Sequence, residues 1–186
     1  YSPTNNDSQT QCPTNSTSPA GSDALNDCDG NGGYYNCSTG TCAAVGTGYY
    51  SPNDNDDRTA CPTNSLSGGS GTDADAISDC DGNAGWYSCA DGTCNQSSAN
   101  YYSPTNNDSQ TQCPTNSTSP AGSDALNDCD GNAGYYNCST GTCSTAGTGY
   151  YSPTDNDGRT ACAANRLTTG SGTGADAVAD CLAIAG

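Results

Sequence analysis

Apolar side chains along this chain come in two forms, scattered single aliphatics and adjacent aromatic pairs. Neither form builds a run long enough for a long helix, a signal peptide or a membrane span. The branched aliphatics are Leu25, Val45, Leu66, Ile77, Leu126, Leu167, Val178, Leu182 and Ile184. The pairs are Tyr34-Tyr35, Tyr49-Tyr50, Trp86-Tyr87, Tyr101-Tyr102, Tyr135-Tyr136 and Tyr150-Tyr151. Stretches such as DGNAGYYNC read as a turn running into a short strand, because Gly and Asn break the chain just before β-favouring aromatics. One short helix-capable stretch, residues 22 to 27, lies between Ser, Pro and Gly turns. The fold class expected is a set of small disulfide-rich repeats, mostly irregular with short β-strands and turns, forming an elongated tandem array.

Nine branched aliphatics in 186 residues cannot offset the entropy of ordering the backbone. Disorder or covalent stapling remains, and the 14 cysteines favour stapling in an oxidising compartment. Segment 1–50 reappears at 102–151 with changes only at 32 and 43–45 of the first copy. The intervening segment opens in the same way, so the chain divides into repeats at 1–48, 49–100, 101–149 and a partial repeat at 150–186. Four cysteines in a repeat allow three connectivities. The last repeat keeps only Cys162 and Cys181, which favours local pairing if the visible chain is self-sufficient. The pairs expected are Cys12–Cys28, Cys37–Cys42, Cys61–Cys80, Cys89–Cys94, Cys113–Cys129, Cys138–Cys143 and Cys162–Cys181.

Charge narrows the partners. The 20 acidic residues are all Asp and the three basic ones all Arg, for a net charge of -17. Nucleic acid and anionic membrane surfaces are poor partners for such a chain. A secreted protein without its leader would have this composition.

The stretch DCDGNAGYYNCSTGTC, 128–143, admits three chemistries. Asp27-x-Asp29-x-Asn31-Gly32 and its copies match the first half of a calcium loop, with ligands at the first, third and fifth positions. The acidic ligand required at the twelfth position is replaced by Ser38, Ala90 or Ser139. The competing reading, which is preferred, is that these Asp and Asn side chains bond nearby backbone to fix a turn. The same choice applies to Asp54, Asp56 and Asp57 and to Asp155 and Asp157. Zinc lacks both His and Cys-x-x-Cys, and a nucleophile would lack a His, Lys or Glu base, so no enzyme is expected. Acceptor patterns for N-linked sugar stand at Asn6, Asn15, Asn36, Asn95, Asn107, Asn116 and Asn137, and the Ser-Pro sites suggest O-linked sugar as well. No cofactor is expected beyond covalent glycans and calcium. Within each aromatic pair the rings face opposite ways, so either one covers its own disulfide while the other meets the next repeat or another chain, or both pack within the repeat.

The run CPTNSTSPAGSDALNDCDGNAGYY resembles the ephrin-receptor-like cysteine-rich repeat, a relative of EGF-like modules. Its features fall at Cys12, Pro13, Ser18, Pro19, Gly21, Asp27, Cys28, Asn31, Gly33 and Tyr34 and recur in all four repeats, most weakly in the last. Family members often carry Cys-x-Cys where this chain has Gly30, Gly82 and Gly131, so the family's disulfide connectivity does not transfer. The resemblance implies surface or matrix proteins of protists and algae, including the hairs that decorate flagella. An extracellular, cell-surface glycoprotein is thus expected, one that self-associates into a fibre or coat without inserting in a membrane. The alternative is an adhesion or receptor-stalk module, calcium-dependent in its sharpest form. The ending CLAIAG, with Leu182 and Ile184 where other repeats have Asp and Asn, suggests either a window on a longer polymer or a docking tail.

Overall fold

The computed structural model describes residues 1–4, 8–68 and 71–184. Among these residues the regular structure consists of twenty strands, each two or three residues long, and six single 3-10 turns. The strands form ten two-stranded sheets, each joining neighbours in the chain. Every strand pair is therefore local, the longest running from Ser65 to Gly82 or from Arg166 to Ala183, as a Gly- and Asn-rich sequence permits.

Three kinds of hairpin make up a repeat. The opening aromatic pair forms the first, with Tyr49–Tyr50 lying antiparallel to Thr59–Ala60. The second carries the long disulfide loop and pairs Ser65–Ser67 with Cys80–Gly82. The third starts on the other aromatic pair, as when Tyr34–Tyr35 meets Ala43–Ala44. The turn into the second hairpin passes through a residue of positive φ that is Asn in all four repeats: Asn15 (67°), Asn64 (69°), Asn116 (69°) and Asn165 (63°). Asn tolerates this left-handed region better than other residues with a side chain.

Seven disulfides staple these hairpins: Cys12–Cys28, Cys37–Cys42, Cys61–Cys80, Cys89–Cys94, Cys113–Cys129, Cys138–Cys143 and Cys162–Cys181. The chain is thus a tandem cysteine-rich repeat protein. Its interior is sulfur, serine and small apolar groups. Cys28, Cys37, Cys80, Cys89, Cys129, Cys138 and Cys181 are fully buried, alongside Val45 and Ala146. Ser51, Ser97, Ser103 and Ser152 are fully buried too, and each hydroxyl donates to a backbone carbonyl. Among the described residues, no buried side-chain polar atom is left without a partner, as stability in so polar an interior requires.

By its internal contacts the chain divides into two compact bodies. One comprises Tyr1–Asn83, Tyr87–Asn95 and Asn106–Asp108, the other Ala84–Trp86, Gln96–Thr105 and Ser109–Gly186.

Candidate functional site at the joints between repeats

Within each body the same joint recurs where one repeat meets the next. Its centre is a relay of peptide groups. The Val45 amide donates to Gly33 O (3.0 Å), the Gly33 amide to Ser51 O (2.9 Å) and the Ser51 amide to Ala74 O (3.0 Å). Ala146, Gly134, Ser152 and Ala175 repeat the pattern, as do Ser97, Gly85, Ser103 and Ser123. Gly33 and Gly134 have φ of +81° and +79°, and a Cβ there would collide with the backbone of Thr72 or Gly174. These two positions must stay glycine.

Carboxylates flank the relay. Asp56, on the loop that opens the second repeat, faces the cysteine loop of the first. The amide of Asn36 donates to its carbonyl (3.0 Å), that of Cys37 to one carboxylate oxygen and that of Ser38 to the other (3.2 Å). Two successive N–H groups thus hold the carboxylate in an anion nest filled by the chain's own Asp, while the N–H before them bonds the same residue's carbonyl. Asp157 fills the equivalent nest and also accepts the Ser139 hydroxyl at 2.6 Å. Asp108 takes the Cys89 amide in the same way. The sequence singles out Asp56 and Asp157 within acidic clusters and favours bonds to nearby backbone, which they make, but to the backbone of the preceding repeat; it gives no sign of Asp108. The signal that would have found them is their invariance in register: Asp56, Asp108 and Asp157 each lie seven residues after the first Tyr of the opening pair.

A second set of acids gathers beside the first. Burial pushes the Asp130 carboxyl above its ordinary range, helped by the negative charges of Asp157, Asp155 and Asp128. Burial likewise raises Asp81, together with Asp108 and Asp79. The residues of the calcium pattern divide their roles. The Asp27 carboxylate accepts the amides of Asp23 (3.0 Å) and Ala24 (3.1 Å), capping its own 3-10 turn at Leu25–Asp27. Asp79, Asp128 and Asp180 repeat this cap. Asp29 stands opposite Thr17 in a strand pair, and the Asn31 amide donates to Asn15 O. Among the described residues no group of three or more His, Cys, Asp or Glu side chains is arranged to hold a metal ion.

The aromatic pairs bridge repeats through arginine. The Arg58 guanidinium lies 4.7 Å from the Tyr35 ring centre and 4.0 Å from that of Tyr49, within cation–π range of both. Arg159 sits likewise over Tyr136 (4.6 Å) and Tyr150 (4.2 Å). Each guanidinium also donates to a buried carbonyl, that of Val45 or Ala146.

The acceptor sites for sugar differ in access. Asn36, Asn95 and Asn137 are exposed, whereas Asn15, Asn107 and Asn116 are half-buried, and Asn6 lies outside the described residues. Asn36 and Asn137 both have φ of 59°, a backbone state that itself favours Asn. The Ser-Pro expectation needs correction at four positions. Ser51, Ser103, Ser119 and Ser152 are buried with their hydroxyls donating to carbonyls, so they are closed to O-linked sugar.

Comparison with protein-family models and with curated proteins returns no match to this chain. Among the described residues no helix is long and apolar enough to cross a membrane.

Proposed function

We propose that this chain is an extracellular structural glycoprotein, a subunit of a fibre or surface coat built from disulfide-stapled repeats of the ephrin-receptor-like kind. The observation that carries the reading is the joint itself. Peptide relay, Asp-filled nest and Arg–Tyr sandwich recur in register, so the conserved geometry of the molecule lies in how repeat follows repeat. Stapling suits an oxidising, extracellular setting, where a module with little apolar interior must hold its form without chaperones. Surface carboxylates in large excess keep such subunits dispersed until they meet a specific contact. Electron microscopy of native material tests the reading: fibres or sheets with a periodicity matched to the chain are expected, and exclusively monomeric particles would refute it.

One observation favours a second reading, an adhesion or stalk module tuned by calcium. Burial raises the Asp130 carboxyl, helped by the charges of Asp157, Asp155 and Asp128, which marks four acids near one joint although their side chains are not arranged to hold a metal ion as they stand. That reading requires saturable calcium uptake in titration calorimetry, which a purely structural fibre does not.

A further inference from the structure

Five of the seven acceptor patterns for N-linked sugar share a property that the exposure of the Asn does not reveal. In each, the Ser or Thr two residues on is bonded by the following repeat. The Thr17 hydroxyl, in the Asn15 pattern, donates to Asp54 at 3.2 Å, and that of Thr118, in the Asn116 pattern, to Asp155 at 3.0 Å. Ser97, in the Asn95 pattern, is fully buried and donates to Ser123 O at 2.8 Å. In the Asn137 pattern the Ser139 hydroxyl donates to Asp157 at 2.6 Å, and in the Asn36 pattern the Ser38 amide donates to Asp56 at 3.2 Å.

The hold is most complete in the two cysteine loops. Residues 33–42 and 134–143 have the same sequence, GYYNCSTGTC. The amides of Asn137, Cys138 and Ser139 all donate to Asp157, the first to its carbonyl and the other two to its carboxylate. Asp56 takes the amides of Asn36, Cys37 and Ser38 in the same way. One residue of the next repeat thus fixes the backbone of the acceptor tripeptide, with Asn36 and Asn137 in the left-handed region at φ 59°. Both Asn residues are nevertheless exposed, so the finished joint leaves room for a sugar already attached.

Transfer of the sugar needs more than an exposed amide. The Asn side-chain nitrogen attacks the anomeric carbon of a sugar carried on a lipid diphosphate. A C–N bond forms as the C–O bond to phosphate breaks; the lipid diphosphate leaves with the electron pair and the amide gives up one proton. The transferring enzyme admits its acceptor through the hydroxyl two residues on, which is why the pattern specifies Ser or Thr. A hydroxyl held by a carboxylate in a short, charge-assisted bond, on a tripeptide whose amides are already bonded, offers no such handle.

We infer that docking of each following repeat closes the acceptor site of the cysteine loop before it, with Asp56 closing Asn36 and Asp157 closing Asn137. N-linked sugar reaches these two sites after the loop is synthesised and before the next repeat seats. Asn15 and Asn116 close earlier, since Ser16–Thr17 and Ser117–Thr118 are also strands of their own hairpins. The inference rests on the glycoprotein reading above and names the event that limits attachment.

The test uses the intact chain, made without sugar and with its seven disulfides formed. An oligosaccharyltransferase and a lipid-diphosphate oligosaccharide are added, and peptide mass spectrometry follows each site. The oxidised wild type should accept sugar at Asn36 and Asn137 at least about tenfold more slowly than the reduced, unfolded chain. Asp157→Ala should speed transfer to Asn137 about tenfold, the shift in local opening that loss of a charged cap brings, and leave Asn36 unchanged. Asp56→Ala should do the converse. Because the two loops are identical in sequence, each is the other's reference. Disulfide mapping confirms that both variants retain the seven bridges. Equal transfer to the oxidised and reduced wild type overturns the inference, as does a variant that leaves its own site slow or speeds both sites alike. A reduced chain that takes no sugar overturns it too, since access to the hydroxyl would not then be what limits transfer. Native protein bare of sugar at all seven patterns refutes the glycoprotein reading instead, however the two variants behave.

Discussion

Asp157 holds the start of the loop at Cys138 although the two belong to different repeats: its carboxylate accepts the amides of Cys138 and Ser139. The left-handed Asn137 turns the chain so that these N–H groups converge. Side-chain capping of this kind is worth about 1–2 kcal/mol where the acceptor is charged. Asp157→Ala is therefore expected to lower stability by about that amount. Hydrogen exchange should locate the loss, with the amides of Cys138 and Ser139 accelerating most. Unchanged protection at both would show that the nest contributes nothing.

The raised carboxyl of Asp130 gives the joint a pH dependence of definite sign. Its ordinary value is 3.8, and burial with three neighbouring carboxylates lifts it in the folded state. The native protein thus binds this proton more tightly than the unfolded chain does. The resulting stability is fully present below the ordinary value and is lost as pH rises through the raised one. Asp130→Asn, uncharged throughout, should be more stable than wild type at neutral pH and should lose that advantage in acid. Denaturant midpoints of the two proteins across this range measure the effect, and parallel curves would contradict it.

The two classes of disulfide should differ in weight. Cys113–Cys129 spans 16 residues and Cys138–Cys143 spans five. Loop-closure entropy makes the longer bridge worth about 1 kcal/mol more. Replacing Cys113 and Cys129 by Ala should therefore cost more than replacing Cys138 and Cys143, as read by thermal unfolding of the otherwise oxidised protein. Equal losses would place the stabilisation in native packing instead.

Sugar occupancy should follow exposure. If the chain carries N-linked sugar as proposed, mass spectrometry of peptides from the native protein is expected to find Asn36, Asn95 and Asn137 occupied ahead of the half-buried Asn15 and Asn116. The reverse order would mean that attachment precedes any structure at these loops.

Much of the architecture was legible because covalent chemistry dictates it. Cysteine spacing, the partial last repeat and the turn before each aromatic pair were enough to anticipate short hairpins closed by local bridges. The acids were legible only in part. The preferred backbone-bonding role is found at Asp27, whose carboxylate accepts the amides of Asp23 and Ala24. Asp56 acts across a joint, so no pattern within a single repeat reveals it. Arg58 was equally silent: its place between Tyr35 and Tyr49 depends on two hairpins brought together by the fold. Ser-Pro dipeptides misled for the opposite reason, since Ser51 and Ser152 look like surface turn residues but fill the interior with hydroxyls satisfied by backbone.

The relay through Val45, Gly33, Ser51 and Ala74 consists of main-chain groups, whose bonding is indifferent to which side chains they carry. Successive modules thus share a common coupling while their outer surfaces are free to diverge. Duplication, deletion or reshuffling of whole modules leaves the coupling intact as long as the left-handed glycine is kept. A gene built this way can lengthen or shorten its product by unequal recombination without redesigning a single interface.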